Sequence, residues 1–262
     1  MIPKIIHYVW FGTKQPSERC KPCIDSWKKY CGDEYEIKCW GNDCVEKFYN
    51  ENAFFRKYYD MENYAFCADF VRFYALYHEG GIYLDCDVEI KGNFNRILDL
   101  KRFIGLEYIY CTGENGKSPY IINHSNIDIG VMAAEPNDPY IKKVLEIFDD
   151  PECYTKEDII GPDVANKALL SNFEYKIVNS IPEAKEYESD TQVALFNKPH
   201  FDKSPDFHKS KNINPDYAIC EHKYFNSWIA KFRKQQRQNK KTVKVKPIIK
   251  NPINIFENFP IV

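Results

Sequence analysis

Near its start the chain runs "KIIHYVWFG", an almost unbroken apolar stretch closed by Gly12. Such a run predicts a strand buried on both faces, as in a parallel sheet. Ser17 offers a helix cap, and a helix is expected from there to about Tyr30. "YEIKCW" predicts a second strand, followed by short helices near 43–50 and 53–59. Strand, helix, strand in that order implies an α/β domain with a mainly parallel sheet.

Residues 62–79 predict a helix that is apolar nearly all round, with Phe66, Phe70, Val71, Phe73 and Leu76 distributed about it. A helix of that kind is a buried one. One stripe nevertheless places Asp69 and Arg72 a turn apart among small residues. Gly80 and Gly81 end the helix, and "GGIYLDCDVEI" then reads as an extended strand. Alternation puts Leu84, Cys86, Val88 and Ile90 on one face and Tyr83, Asp85, Asp87 and Glu89 on the other. Neighbouring carboxylates on one face repel by roughly 2–3 kcal/mol at an effective dielectric of about 20. A cation, basic side chains or open solvent must offset that. Mg²⁺ and Mn²⁺ suit carboxylate oxygens and bring phosphates as further ligands. Alone, an Asp-x-Asp describes many polar edge strands. The buried helix carrying Asp69 and Arg72 straight into it is what points to a site.

Beyond this, "RFIGLE" and "IDIGVMAA" predict strands, while "PYIKKVLEIF" and "DIIGPDVANKALL" predict helices. A Pro-rich loop is expected over 197–215, then a strand at "YAICE" and a basic helix after "HKYFNSW".

The 19 Tyr, 18 Phe and 4 Trp among 262 residues argue against disorder. No run of 18 apolar residues is present, and the N-terminus reads as a strand rather than a signal peptide. The ten cysteines are therefore expected to be reduced thiols used as small apolar residues. Structural zinc at Cys20, Cys23 and Cys31 is the minor reading, because no second close pair or histidine accompanies them. The net charge of −2 conceals an asymmetry: residues 231–250 carry nine Lys or Arg and no acid. The remainder holds 27 basic against 38 acidic residues. That segment is either a solvated helix face or a contact for an anionic membrane. Nucleic acid is not expected as a partner, since the acidic body repels phosphates.

"IPKIIHYVWFG", "ADFVRFYALYHEGGIYLDCDVE" and a late "SW" together resemble the family 32 glycosyltransferases, DxD sugar transferases of capsular-polysaccharide and yeast mannosyltransferase type. They are also similar to the catalytic domain of the large clostridial glucosylating toxins. The resemblance implies an A-type glycosyltransferase fold, with a mainly parallel, Rossmann-like sheet flanked by helices. It implies a transferase domain over 1–230, followed by a basic helical C-terminal extension over 231–262. The implied activity is metal-dependent, retaining transfer of a hexose from a UDP-sugar to a glycan or lipid-linked saccharide. A toxin-like protein glycosyltransferase and a non-catalytic nucleotide-sugar-binding module are the alternatives.

By the same resemblance Trp10, with Val9, would stack on uracil; from the residues alone it reads instead as a core tryptophan. Asp69 and Arg72 would hold donor-sugar hydroxyls, Asp85 would contact ribose, sugar or metal, and Asp87 would ligate Mn²⁺ or Mg²⁺. His222 would complete the metal site, with Glu221 as its competitor, and Ser227 and Trp228 would close over the phosphates. "NIDIGVM" resembles a strand aimed at the donor sugar, with Asp128 where Asn is usual and Asn126 two residues earlier. Glu89 is left without a role. The expected location is cytoplasmic, peripheral to the inner face of the membrane.

Overall fold

In the computed structural model, residues 1–111, 120–155, 160–197, 219–223 and 253–254 are described. The opening apolar run is β1 (Ile5–Val9). Ser17 caps a short 3-10 turn, its hydroxyl accepting from the Arg19 amide, and α1 (Lys21–Cys31) follows with a proline in its first turn. β2 (Glu36–Trp40) returns parallel to β1. The two short helices are α2 (Val45–Glu51) and α3 (Ala53–Asp60), the latter capped by Asn52 Oδ1 accepting from the Phe55 amide.

The apolar helix is α4 (Tyr64–Glu79), and β3 (Gly81–Leu84) follows it at once. Gly80 and Gly81 both have positive φ, +65° and +98°. A Cβ on Gly80 would lie 2.6 Å from Pro136 Cδ, and one on Gly81 would lie 2.7 Å from the Ile5 carbonyl oxygen. Both positions therefore require glycine, and the pair turns a buried helix directly into a buried strand.

β3 runs parallel to β1 and antiparallel to β6 (Tyr120–Ala134), which pairs antiparallel with β5 (Arg102–Cys111). After α5 (Pro139–Asp149), α6 (Pro151–Thr155) and α7 (Gly161–Asn172) come β7 (Glu174–Val178), α8 (Ile181–Tyr187) and β8 (Gln192–Phe196). The main sheet reads β2-β1-β3-β6-β5-β8-β7, with β10 (Ile253–Asn254) on β6. It is mostly parallel, as expected, with β6 inserted in the opposite direction.

Two apolar clusters sandwich the sheet. Tyr83, Phe70, Phe148 and Leu169 belong to one, on the side of α3, α4, α5 and α7; Trp27, Ile82, Leu84 and Phe196 belong to the other. Ile82 and Leu84 thus face away from Tyr83, as strand alternation requires.

One expectation fails. The strand does not continue to Ile90: β3 stops at Leu84, Asp85–Asp87 form a turn, and β4 (Val88–Ile90) leaves the main sheet to pair antiparallel with β9 (Cys220–His222). The Val88 amide closes the turn on the Asp85 carbonyl at 2.9 Å. The turn takes the two carboxylates out of the ladder, so each meets its own partners. The boundary at 230, Ser227, Trp228, the basic segment and the loop over 198–218 lie outside the described residues.

Candidate active site

α4 delivers the first pair of charges. Asp69 and Arg72 are both buried, and Arg72 Nη2 donates to Asp69 Oδ1 at 2.9 Å. Arg72 Nη1 donates to the Ile129 carbonyl at 2.7 Å and to Asp85 Oδ1 at 3.2 Å, and Nε donates to the Ala68 carbonyl at 3.2 Å. Its guanidinium lies 4.7 Å from the centre of the Tyr83 ring, and the Tyr83 hydroxyl donates to Asp85 Oδ1 at 2.8 Å. The other oxygen of Asp69 accepts from the Gly161 amide at 2.8 Å, where α7 begins. Burial still pushes the Asp69 carboxyl up to about 6, against the opposing pull of Arg72.

Asp87 and His222 form the second group. His222 Nε2 lies 3.1 Å from Asp87 Oδ1, and ligand atoms of Asp85, Asp87 and His222 all fall within 4.8 Å of one another. Burial works against charge on the His222 imidazole, yet the Asp87 hydrogen bond and charge, with Asp85 and Asp128 behind, carry its pKa up to about 9. Gly130 leaves the space beside them. A Cβ there would lie 2.9 Å from His222 Cε1, 3.0 Å from Asp85 Oδ2 and 3.3 Å from Asp128 Oδ1. Two carboxylates, an imidazole and a hollow that a single carbon would fill suit a small divalent cation.

β4 is held on both edges. β9 pairs one edge; on the other side of the strand the Trp27 indole donates to the Val88 carbonyl at 2.7 Å and Ser26 Oγ accepts from the Ile90 amide at 3.0 Å. Both residues come from α1. Cys86, between the two aspartates, turns away from them, its sulfur 3.5 Å from that of Cys20. Among the described residues, Asp85, Asp87 and His222 are the group placed to hold a metal, and Cys20, Cys23 and Cys31 are not so gathered.

The structure thus brings together Asp69, Arg72, Asp85, Asp87, His222 and Asp128, whose Oδ1 accepts from the Gly130 amide at 2.8 Å. Glu221 sits opposite Glu89 in the β4–β9 ladder, so the imidazole rather than that carboxylate meets the aspartates. Val9 is buried at the end of β1, and Trp10 is half-buried just beyond it, its indole N donating to Thr13 Oγ1 at 2.8 Å. β1 and β3 run parallel, so Trp10 and Asp85 leave the sheet at the same edge. Among the described residues, the core tryptophans are Trp27 and Trp40 instead. The side chain of Asn126 lies outside the described part. Tyr83, Gly130 and Gly161 are contributors that sequence reasoning missed. Only Tyr83 left a signal, by sharing the acidic face two residues before Asp85.

Residues 17–104 match the model of the glycosyltransferase sugar-binding region containing a DXD motif. Over those residues the chain is similar to that glycosyltransferase region. An uncharacterized glycosyltransferase of Acanthamoeba polyphaga mimivirus is 33% identical over 151 residues, covering 56% of this chain and 55% of that protein. Inositol phosphoceramide mannosyltransferase 1 of Schizosaccharomyces pombe is 30% identical over 111 residues, 39% of this chain and 33% of that one. The chain thus spans about half or less of the length of these relatives. The solved PaToxG glycosyltransferase aligns with a TM-score of 0.46 at 23% identity, over 64% of this chain and 69% of that chain. Within residues 17–104, Asp85-Cys86-Asp87 has the Asp-x-Asp form.

Proposed function

We propose that this DXD chain is a metal-dependent, retaining glycosyltransferase moving a hexose from a UDP-sugar to a glycan or lipid-linked saccharide. The observation that carries the reading is the meeting of Asp85, Asp87 and His222 within 4.8 Å, beside the buried Asp69–Arg72 pair. Asp87 and His222, with Asp85 alongside, are the residues that would hold Mn²⁺ or Mg²⁺. Such a cation, when bound, takes diphosphate oxygens as further ligands and offsets the charge of the departing UDP.

The remaining work falls to the chain itself. Trp10, half-buried at the sheet edge, offers a ring face to uracil. Arg72 and Tyr83 together fix the Asp85 carboxylate in one orientation toward ribose or sugar. Asp69 and Arg72 supply an acceptor and a donor for sugar hydroxyls, and Asp128 lines the same hollow across from Gly130. Asp85 and Asp87 are assigned to the cation and Asp69 to Arg72, so this reading assigns no covalent nucleophile. The reading therefore takes front-face displacement guided by the acceptor hydroxyl. Ser227 and Trp228 are the proposed cover over the phosphates, and the basic segment 231–250 the contact with an anionic inner membrane face.

A panel of UDP- and GDP-sugars scored for Mn²⁺-dependent hydrolysis tests this. We expect UDP release from one donor, lost by at least about a hundredfold in Asp87→Asn while the unfolding midpoint stays in place. Equal UDP affinity with and without Mn²⁺ would remove the metal from the account. Turnover confined to a GDP-sugar would replace the donor nucleotide. Tight UDP binding without turnover of any donor would leave a binding module.

A further inference from the structure

β4 and β9 make a two-stranded ladder three residue pairs long, with Asp87 just before β4 and His222 within β9. A ladder this short is marginal on its own. Glu89 stands directly opposite Glu221 in it, an arrangement that drives strands apart. Two lysines answer the pair. Lys91 Nζ lies 2.6 Å from Glu89 and 3.8 Å from Glu221. Lys223 Nζ lies 3.0 Å from Glu221 and also contacts Glu89. Each lysine therefore bridges both glutamates, and the Glu89 carboxyl is pulled down to about 2, by Lys223 first and Lys91 next. The network is partly shielded: the side chains of Glu221 and Lys223 are 7% and 18% exposed, that of Lys91 44%.

We propose that Glu89, Lys91, Glu221 and Lys223 are positioning residues that fix β9 on β4 in one register and so hold His222 at Asp87. The inference rests on the metal-site reading of Asp85, Asp87 and His222. Side chains alternate along β9, so Glu221 joins the charged face while His222 points to the aspartates. A slip of one residue would exchange them, carrying Glu221 and Lys223 to the site face and leaving His222 beside Glu89 and Lys91. That slip is penalised because it breaks the two cross-strand bridges, Lys91 to Glu221 and Lys223 to Glu89.

Through-space attraction and positioning make opposite predictions for one variant. Lys91→Met removes a positive charge near the cation site, which by electrostatics alone tightens Mn²⁺ binding. Positioning predicts weaker binding, by about three- to fivefold, the size an ion pair of this exposure contributes. Lys91→Arg should restore wild-type affinity. Binding of Mn²⁺ alone, read by the paramagnetic resonance of the free ion, would be measured beside the thermal midpoint and amide exchange of 219–223. We expect Lys91→Met and Glu89→Gln to weaken Mn²⁺ binding and speed exchange in that segment at an unchanged midpoint, with the differences shrinking at high salt. Unchanged exchange, or Mn²⁺ bound as tightly or more tightly by Lys91→Met, would overturn the positioning role and leave the metal site standing. Failure of Lys91→Arg to restore affinity would also overturn it. Wild-type Mn²⁺ binding that Asp87→Asn does not reduce would overturn the metal site itself, and the His222 assignment with it.

Discussion

Arg72 donates to Asp69, Asp85 and two backbone carbonyls from a position almost closed to water. Replacing it with methionine leaves two carboxylates facing each other without their shared cation. Arg72→Met should cost about 3–5 kcal/mol, read from a denaturant midpoint, the range for breaking a buried ion pair from one side. Arg72→Lys should lose turnover more than stability, because an ammonium cannot serve divergent acceptors from one plane. The Asp69–Arg72 pair was legible in the sequence, since opposite charges a turn apart on a helix buried all round must enter the core together. The choice between Glu221 and His222 was not legible. It depends on which face of β9 turns toward Asp87, and that is set by pairing with a strand more than a hundred residues earlier.

At the scale of elements, the turn after β3 was the hidden feature. Residues 83–90 keep strict alternation through both β3 and β4, and Asp85–Asp87 contain no glycine or proline to announce a break. The break follows from tertiary partners: Gly130 accepts from the Asp85 amide, Asp87 accepts from the Lys223 amide, and α1 holds β4 from its other edge. Trp27→Phe keeps most of the ring but deletes the donor to the Val88 carbonyl. It should destabilise by about 1–3 kcal/mol, the cost of an unmet buried carbonyl, in urea titrations. The order strand, helix, strand was enough to predict a mainly parallel sheet. Nothing in β6 revealed that it runs against its neighbours, because a strand buried on both faces looks the same in either direction.

For the molecule as a whole, burial leaves an acid that couples stability to pH away from the site. Glu188 is pushed up to about 7 by burial, although Arg102 and the Lys101 amide pull the other way. A carboxyl whose folded pKa exceeds its unfolded value holds its proton longer in the native state. Its contribution is present below the unfolded pKa and is lost as pH rises through about 7. Stability should therefore fall between about pH 5 and 7, by of order 2 kcal/mol from this group, read as a falling thermal midpoint, and Glu188→Gln should flatten that part of the profile. Asp69, raised to about 6, adds a fall of the same sign. The separation of residues in the site carries a different consequence. Asp87 and His222 meet across 135 positions. During synthesis from the N-terminus, β1, α1, α4 and β3 can assemble long before residue 222 leaves the ribosome. A growing chain therefore carries Asp85 and Asp87 without His222 while those 135 positions are added. On the proposed metal reading, the cation seat would be complete only once β9 docks on β4, so capture of the ion would follow that docking rather than seed folding.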